Sequence, residues 1–271
     1  MTWDTTLAWP FSNTHSAQFY ARVFGVTAND LDVDFRCQPR PFLATMLLTY
    51  CLRDAHGNAY AESDVWTWTV SRRLQGLLTI GVRTLGGRLD LVVNCPDPKC
   101  GELLELPLSL THFEQTDDPA EICCEPEKGV QLVIRSPAGL DQRRWWETGK
   151  LTESSHGSLA RDLVKNVNGD APPDEWHVKS EWLDAIGDAL GQSDPLNDTT
   201  LSTTCLRCNR EFDVVLDLEL ELLNALAEKQ AALLDQIHQI AAVYHWSEAQ
   251  ILRLPLKRRQ AYLRRTEEVG I

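Results

Sequence analysis

The apolar positions change period in the final third of the chain. Phe212, Val214, Leu216, Leu218 and Leu220 recur at every second residue with mostly acidic residues between them, which predicts a half-buried strand. From Leu222 onward the spacing becomes helical. Leu222, Leu223, Leu226, Leu233, Leu234, Ile237, Ile240, Ala241 and Tyr244 fall mainly on one face of a helix running to about Val243. Tyr244-His245-Trp246 closes that helix. Ser247 with Gln250 then forms a capping box for a short helix, with Trp246 and Ile251 spaced as its hydrophobic staple. Pro255 is suited to the first position of a last helix, where a missing N–H costs nothing.

Upstream the pattern is more broken. In residues 1–62, Pro10, Pro39 and Pro41 interrupt the chain, and Asn29-Asp30-Leu31-Asp32 marks a turn or helix start. The apolar run from Leu43 to Leu52 fits either a buried helix or a strand. Residues 63–85 read as one helix capped by Ser63, with Val65, Trp66, Trp68, Val70, Leu74, Leu77 and Leu78 on its face and Gly86-Gly87 as its stop. Arg88 to Asn94 reads as a strand. Val130 to Arg135 reads as another, followed by Ser136-Pro137 as cap and first turn of a helix that ends near Trp145 and Trp146. Residues 156–168 and 174–190 predict two further helices separated by Pro172-Pro173. Gly191 to Thr204, polar and interrupted by Pro195, reads as a linker.

Cysteine spacing adds chemistry to this outline. Cys95-Pro-Asp-Pro-Lys-Cys100-Gly-Glu is followed by an alternating apolar and acidic stretch, and so is Cys205-Leu-Arg-Cys208-Asn-Arg-Glu-Phe. Each half is a cysteine pair, a tight turn and a strand. Together Cys95, Cys100, Cys205 and Cys208 supply four thiolates, the set a closed tetrahedral structural zinc site requires. Residues 101–204 would then be an insertion in a split zinc ribbon. Two rivals remain: Cys123-Cys124 replacing one knuckle, and a degraded, metal-free site. Cys37 and Cys51 lack ligand spacing and read as core or half-exposed thiols.

Composition narrows the class. With 43% hydrophobic and 24% charged residues the chain has the make-up of an ordinary globular protein. No apolar run reaches membrane-span length, and Met-Thr-Trp-Asp-Thr-Thr lacks the basic and apolar regions of a secretory signal. A reducing cytosol is the expected compartment, where paired cysteines favour metal over disulfides. The net charge of −13 argues against general nucleic-acid binding. Residues 253–268 depart from it. Arg253, Lys257, Arg258, Arg259, Arg264 and Arg265 against Glu267 and Glu268 give 6 − 2 = +4, leaving −13 − 4 = −17 elsewhere. That stretch is either a solvated helix face or a docking surface for an acidic protein.

No phosphate-binding glycine loop, zincin helix or nucleophile elbow occurs in the sequence, and the seven histidines are scattered. Four thiolates also fill a coordination sphere, leaving no open position for water or substrate. The expectation is a non-enzymatic protein without a small-molecule substrate. The nine tryptophans read as core and interface anchors rather than base-stacking platforms.

The run from Leu233 to Leu263 carries a resemblance. A helix ending in Tyr244-His-Trp246-Ser247-Glu248 is followed by Ile251-Leu, Leu254-Pro255, Arg258-Arg259 and Tyr262-Leu263. This pattern resembles the tail of the hub-assembly chaperone and baseplate proteins of T-even-like contractile phages, relatives of which accompany phage-derived contractile injection systems. The first knuckle, Val133-Ile-Arg135-Ser-Pro137 with Asp141, and the second knuckle are similar to zinc-ribbon members associated with such systems. The resemblance implies partners among other baseplate or tail proteins, incorporation into a phage-tail-like particle, and Trp246, Arg258, Arg259 and Tyr262 as partner-binding residues.

The sequence thus predicts an α+β fold in which a split zinc ribbon carries a largely helical insertion and a helical C-terminal module. Its expected parts are an N-terminal α+β segment (1–62), helix, strand and first knuckle (63–110), the mostly helical insertion (111–200), second knuckle and strand (201–221) and the helical module (222–271). The alternative is a zinc-ribbon nucleic-acid-binding or transcription-associated module. A metal-dependent hydrolase is a further rival.

Overall fold

The computed structural model describes residues 19–113, 119–150 and 155–268. The expectations placed on residues 1–18, including the break at Pro10, lie outside the described residues. The chain opens with β1 (Tyr20–Ala21), α1 (Ala28–Leu31), α2 (Arg40–Cys51), β2 (Leu52–Arg53), α3 (Glu62–Thr67) and α4 (Val70–Leu85). A hairpin of β3 (Arg88–Asn94) and β4 (Leu103–Ser109) follows. Next come β5 (Ile122–Glu127), β6 (Val130–Ile134), α5 (Gly139–Glu147), α6 (His156–Leu163), β7 (Val164–Val167) and α7 (Leu183–Ser193). A second hairpin, β8 (Thr199–Thr204) and β9 (Glu211–Leu216), leads into α8 (Leu218–Tyr244), α9 (Glu248–Leu252) and α10 (Leu256–Glu268). The fold is α+β, with small antiparallel sheets against helices. Among the described residues no helix is long and apolar enough to cross a membrane.

Helix α4 is the hub of the main core. Leu77 and Ile80 are fully buried between α2, which brings Leu47 and Leu48, and α8, which brings Leu222 and Leu226. Two glycines set these approaches. A Cβ at Gly76 would lie 2.5 Å from Leu48 Cδ2, and one at Gly81 would lie 2.7 Å from Leu222 Cδ2. Small residues here let neighbouring helices close on α4 without strain. Gly81→Leu is therefore expected to overpack the α4–α8 seam and cost about 1–3 kcal/mol. Denaturant unfolding would check it; unchanged stability would mean the seam is looser than the contacts indicate.

The same seam roots both cysteine hairpins. α4 ends at Gly86, which takes the left-handed conformation (φ 79°) that glycine tolerates, and β3 starts two residues later. β9 turns into α8 at Asp217, whose carboxylate accepts from the Leu220 N–H at 3.1 Å and is paired with Arg40. Packing α4 on α8 therefore brings the bases of the two hairpins together. The N-cap also ends the strand earlier than its period-two pattern predicts: Leu218 and Leu220 belong to α8, not β9.

Several other expectations are corrected by tertiary pairing. The helix over 63–85 is broken at Trp68-Thr69, and Ser63 lies inside α3 instead of capping it. The break frees backbone groups for the insertion: Val70 N–H donates to Pro137 O (2.8 Å), and Gly139 N–H donates to Trp68 O (2.9 Å). Pro137 is thereby used outside the helix, and α5 begins at Gly139 with the Asp141 carboxylate accepting from the Ala138 N–H. The Leu43–Leu52 run resolves as helix for all but its last residue.

The insertion is less helical than expected. It holds the three-stranded sheet β5-β6-β7 beside α5, α6 and α7. Val164–Val167 leaves α6 to pair with β6, where Val164 joins a separate core with Leu132, Ile134 and Ile186. Residues 174–179 are not helical: a turn closed by the Trp176 N–H on Pro173 O (3.0 Å) leads into irregular chain, and Arg161 binds the carbonyls of Pro173 and Trp176. α7 starts only at Leu183. The presumed linker 191–204 is also structured: α7 runs to Ser193, and Thr199–Thr204 is β8.

Candidate metal centre

Each cysteine pair sits at the tip of a hairpin, and the two tips share a local design. In the first, Cys95 N–H donates to Glu102 O (2.8 Å), closing the loop two residues past Cys100. In the second, Cys205 N–H donates to Arg210 O (2.9 Å), two residues past Cys208. The residue directly after the second cysteine is left-handed in both: Gly101 at φ 57° and Asn209 at φ 56°. Glycine and asparagine are the residues that enter this region most readily. The Asp97 side chain braces the longer loop by accepting from the Lys99 N–H at 2.9 Å.

The tips meet. Cys95 Sγ lies 3.6 Å from Cys208 Sγ, and Cys100 Sγ lies 3.7 Å from Cys205 Sγ. The first cysteine of each knuckle thus faces the second of the other, and all four sulfurs lie within 4.8 Å of one another. A tetrahedral ion bound to four thiolates at about 2.3 Å imposes sulfur–sulfur edges of about 3.8 Å. The two spacings across the tips match that edge. Among the described residues this is the one group of metal-ligating side chains so arranged. It is a potential four-cysteine metal site built from segments on either side of the insertion.

The surroundings suit a structural ion. Cys95, Leu104 and Cys205 are buried, and Val93, Leu106 and Phe212 pack over them. Across the tips, Arg207 Nη1 pairs with Glu102 Oε2 at 2.9 Å, a link the spacing of cysteines gave no reason to expect. The thiols hold their protons unequally. Cys205 is pulled down to about 7, first by the backbone N–H of Cys208 and then by that of Arg207. At Cys95 the Asp97 backbone favours the thiolate, but burial and the neighbouring thiols outweigh it and push the pKa up to about 12. A bound dication would displace these protons.

The remaining cysteines stand apart. Cys124 is buried in the second core with its Sγ 3.5 Å from Ala185 O, and Cys123 is exposed on the opposite face of β5, so neither replaces a knuckle. Cys51 is buried in the main core, and burial pushes its pKa up to about 12; Cys37 is exposed.

The four residues singled out for partner contact occupy different environments. Trp246 and Tyr262 are half-buried in an aromatic cluster with Tyr244: Trp246 stacks on Tyr244 at 5.0 Å between centroids and meets Tyr262 edge-on at 4.9 Å. These rings pack the junction of α8, α9 and α10 on one another. The cluster rests on the expected capping box, in which Ser247 and Gln250 bond reciprocally, and on buried Ile251. His245 is the left-handed cap of α8 at φ 54°. Arg258 is exposed on α10. Arg259 is not on a basic rim: it is only 5% exposed, because its position on α10 faces α8 and the loop before α1.

Comparison with known protein families, with curated proteins and with solved structures gives no match to this chain.

Proposed function

We propose that this protein works by docking, as a structural or chaperone-like assembly protein of a contractile, phage-tail-like baseplate, with one structural zinc ion at Cys95, Cys100, Cys205 and Cys208. The observation that carries the structural half is the convergence of four thiol sulfurs from two hairpins at tetrahedral spacing. Zinc suits an all-thiolate tetrahedron, and such a sphere is closed to water and substrate. The ion would tie the tips of hairpins whose bases are already joined through α4 and α8. Both ends of the insertion, and the direction of the 27-residue helix α8, are then fixed together.

The assembly half rests on the resemblance of residues 233–263 to baseplate proteins of contractile phages. The module built on those residues offers α10 as a basic surface on an acidic protein. Outward positions of the hairpins carry Glu105, Glu211 and Asp213, which would repel nucleic-acid phosphates.

Affinity purification of the tagged protein from its native host tests the reading. Recovery of tail-sheath, spike or baseplate proteins is the expected result. Salt-sensitive DNA binding with no tail protein recovered would overturn it in favour of a nucleic-acid module. Presence in finished particles would distinguish a component from a transient chaperone.

A further inference from the structure

Against α10 lies a cavity of about 340 Å³, formed by the loop at residues 23–26, the end of α4, the middle of α8 and the α9–α10 junction. Its walls are largely apolar, with Phe24, Leu233 and Leu252 among them. Three cations also line it: Arg83, Lys229 and Arg259. Among the described residues no carboxylate does, although the chain as a whole carries a net charge of −13.

Arg259 is the telling member. Its residue is 5% exposed, yet its Nε and Nη1 have no hydrogen-bond acceptor among the described residues. Arg73, more deeply buried at 1% exposure, also leaves its Nε without an acceptor but spends both Nη atoms on the carbonyls of Val65 and Pro41 and on the Thr45 hydroxyl. At Arg259 burial alone acts on the guanidinium, and lowers its pKa. Asp30 lies beside the loop that forms one wall, but its carboxylate is committed to Arg22 and to the backbone N–H groups of Gly25, Val26 and Thr27. An unpaired buried charge is costly, and such a group is normally matched by a counter-charge. The first turn of α10 adds the positive end of a helix dipole on the same side.

The group that complements this lining is acceptor-only and negatively charged, on an apolar body. We propose that this cavity is the docking site for an acidic side chain flanked by apolar residues, presented by a protein partner, with Arg259 receiving the carboxylate. The peptide source rests on the assembly reading above; the carboxylate chemistry rests on the cavity. A free phosphate would leave the apolar walls facing its hydration shell, whereas a carboxylate on a hydrocarbon stem covers them.

Calorimetric titration of the full chain with acetyl-Leu-Glu-Leu-amide tests this, beside the Leu-Gln-Leu peptide, hexanoate and inorganic phosphate. The Glu peptide is expected to bind, and the Gln peptide to bind at least about tenfold more weakly, as loss of a buried charge partner implies. Arg259→Met should abolish the difference between the peptides while melting no lower than wild type, because it removes an unpaired buried charge at similar volume. Equal binding of the two peptides, or none by either, would overturn the proposal. Binding of hexanoate or phosphate without the Glu peptide would also overturn it, by assigning the cavity to a small anion. Should tail proteins fail to co-purify while the Glu peptide still binds through Arg259, the site stands and the baseplate reading falls.

Discussion

If the proposed zinc holds the two hairpins, stripping it is expected to release them from one another and to unfold their tips. The hairpin tips have little else to hold them. Its own cluster of buried side chains is Cys95, Leu104 and Cys205, far smaller than the core around α4. The Arg207–Glu102 pair is exposed and screened by water, so it contributes little. Structural zinc in small domains supplies on the order of 10 kcal/mol, so the proposed ion would outweigh every other contact at the tips. Cys205→Ser, or a strong chelator, should therefore expose residues 95–102 and 205–210 to proteolysis and lower the melting temperature, with the α2–α4–α8 core surviving longest. Because thiolates must take up protons as zinc leaves, acidification should promote the same release. A protein equally protease-resistant with and without chelator would show that packing, not metal, holds the tips.

The second large effect is at Asp30. Its side chain is wholly buried, and Arg22, 11% exposed, meets it with Nη1 at 2.7 Å and Nη2 at 2.5 Å. Asp30 also accepts from the backbone of Gly25, Val26 and Thr27. Gln230 of α8 ties the same segment down by donating to the carbonyls of Asp30, Leu31 and Val33. Asp30→Leu would leave Arg22 buried without its charge partner, which typically costs about 3–5 kcal/mol. Denaturant unfolding at neutral pH measures it; a loss below about 1 kcal/mol would place the pair among weak surface contacts. Burial opposes ionisation of Asp30, but the Arg22 hydrogen bonds and charge and the backbone N–H groups outweigh it, so its pKa lies below the usual carboxylate value. The sign of the pH dependence follows. The folded state binds this proton less readily than the unfolded chain. The stabilisation is full above the ordinary aspartate range and disappears as pH falls through the lowered folded value. Asp30→Leu should lose that part of the acid sensitivity.

Legibility in the sequence followed the range of the forces involved. The knuckles were readable because ligand spacing and turn chemistry are local: Cys100-Gly101 and Cys208-Asn209 carry the left-handed residue beside the second thiol. The Ser247–Gln250 capping box and the Gly86 stop were readable for the same reason. The strand Thr199–Thr204 was not. Five of its six residues are polar and only Leu201 reaches the core, so no apolar alternation marks the strand, which pairs with β9 along its whole length. The split at Trp68-Thr69 was hidden too, since the Pro137–Gly139 backbone it pairs with lies far along the chain. Arg259 shows the limit most plainly. Beside Arg258 in a basic stretch it reads as surface, and only the packing of α10 on α8 turns it inward.

Metal analysis of the purified wild-type protein beside Cys95→Ser and Cys208→Ser tests most directly whether both hairpins share a single four-thiolate site. Near one zinc per chain is expected in the wild type and its loss in each variant, because Cys95 and Cys208 come from different knuckles and face one another across the same tetrahedron. Full zinc content in both variants would contradict the shared site and place the ligands elsewhere.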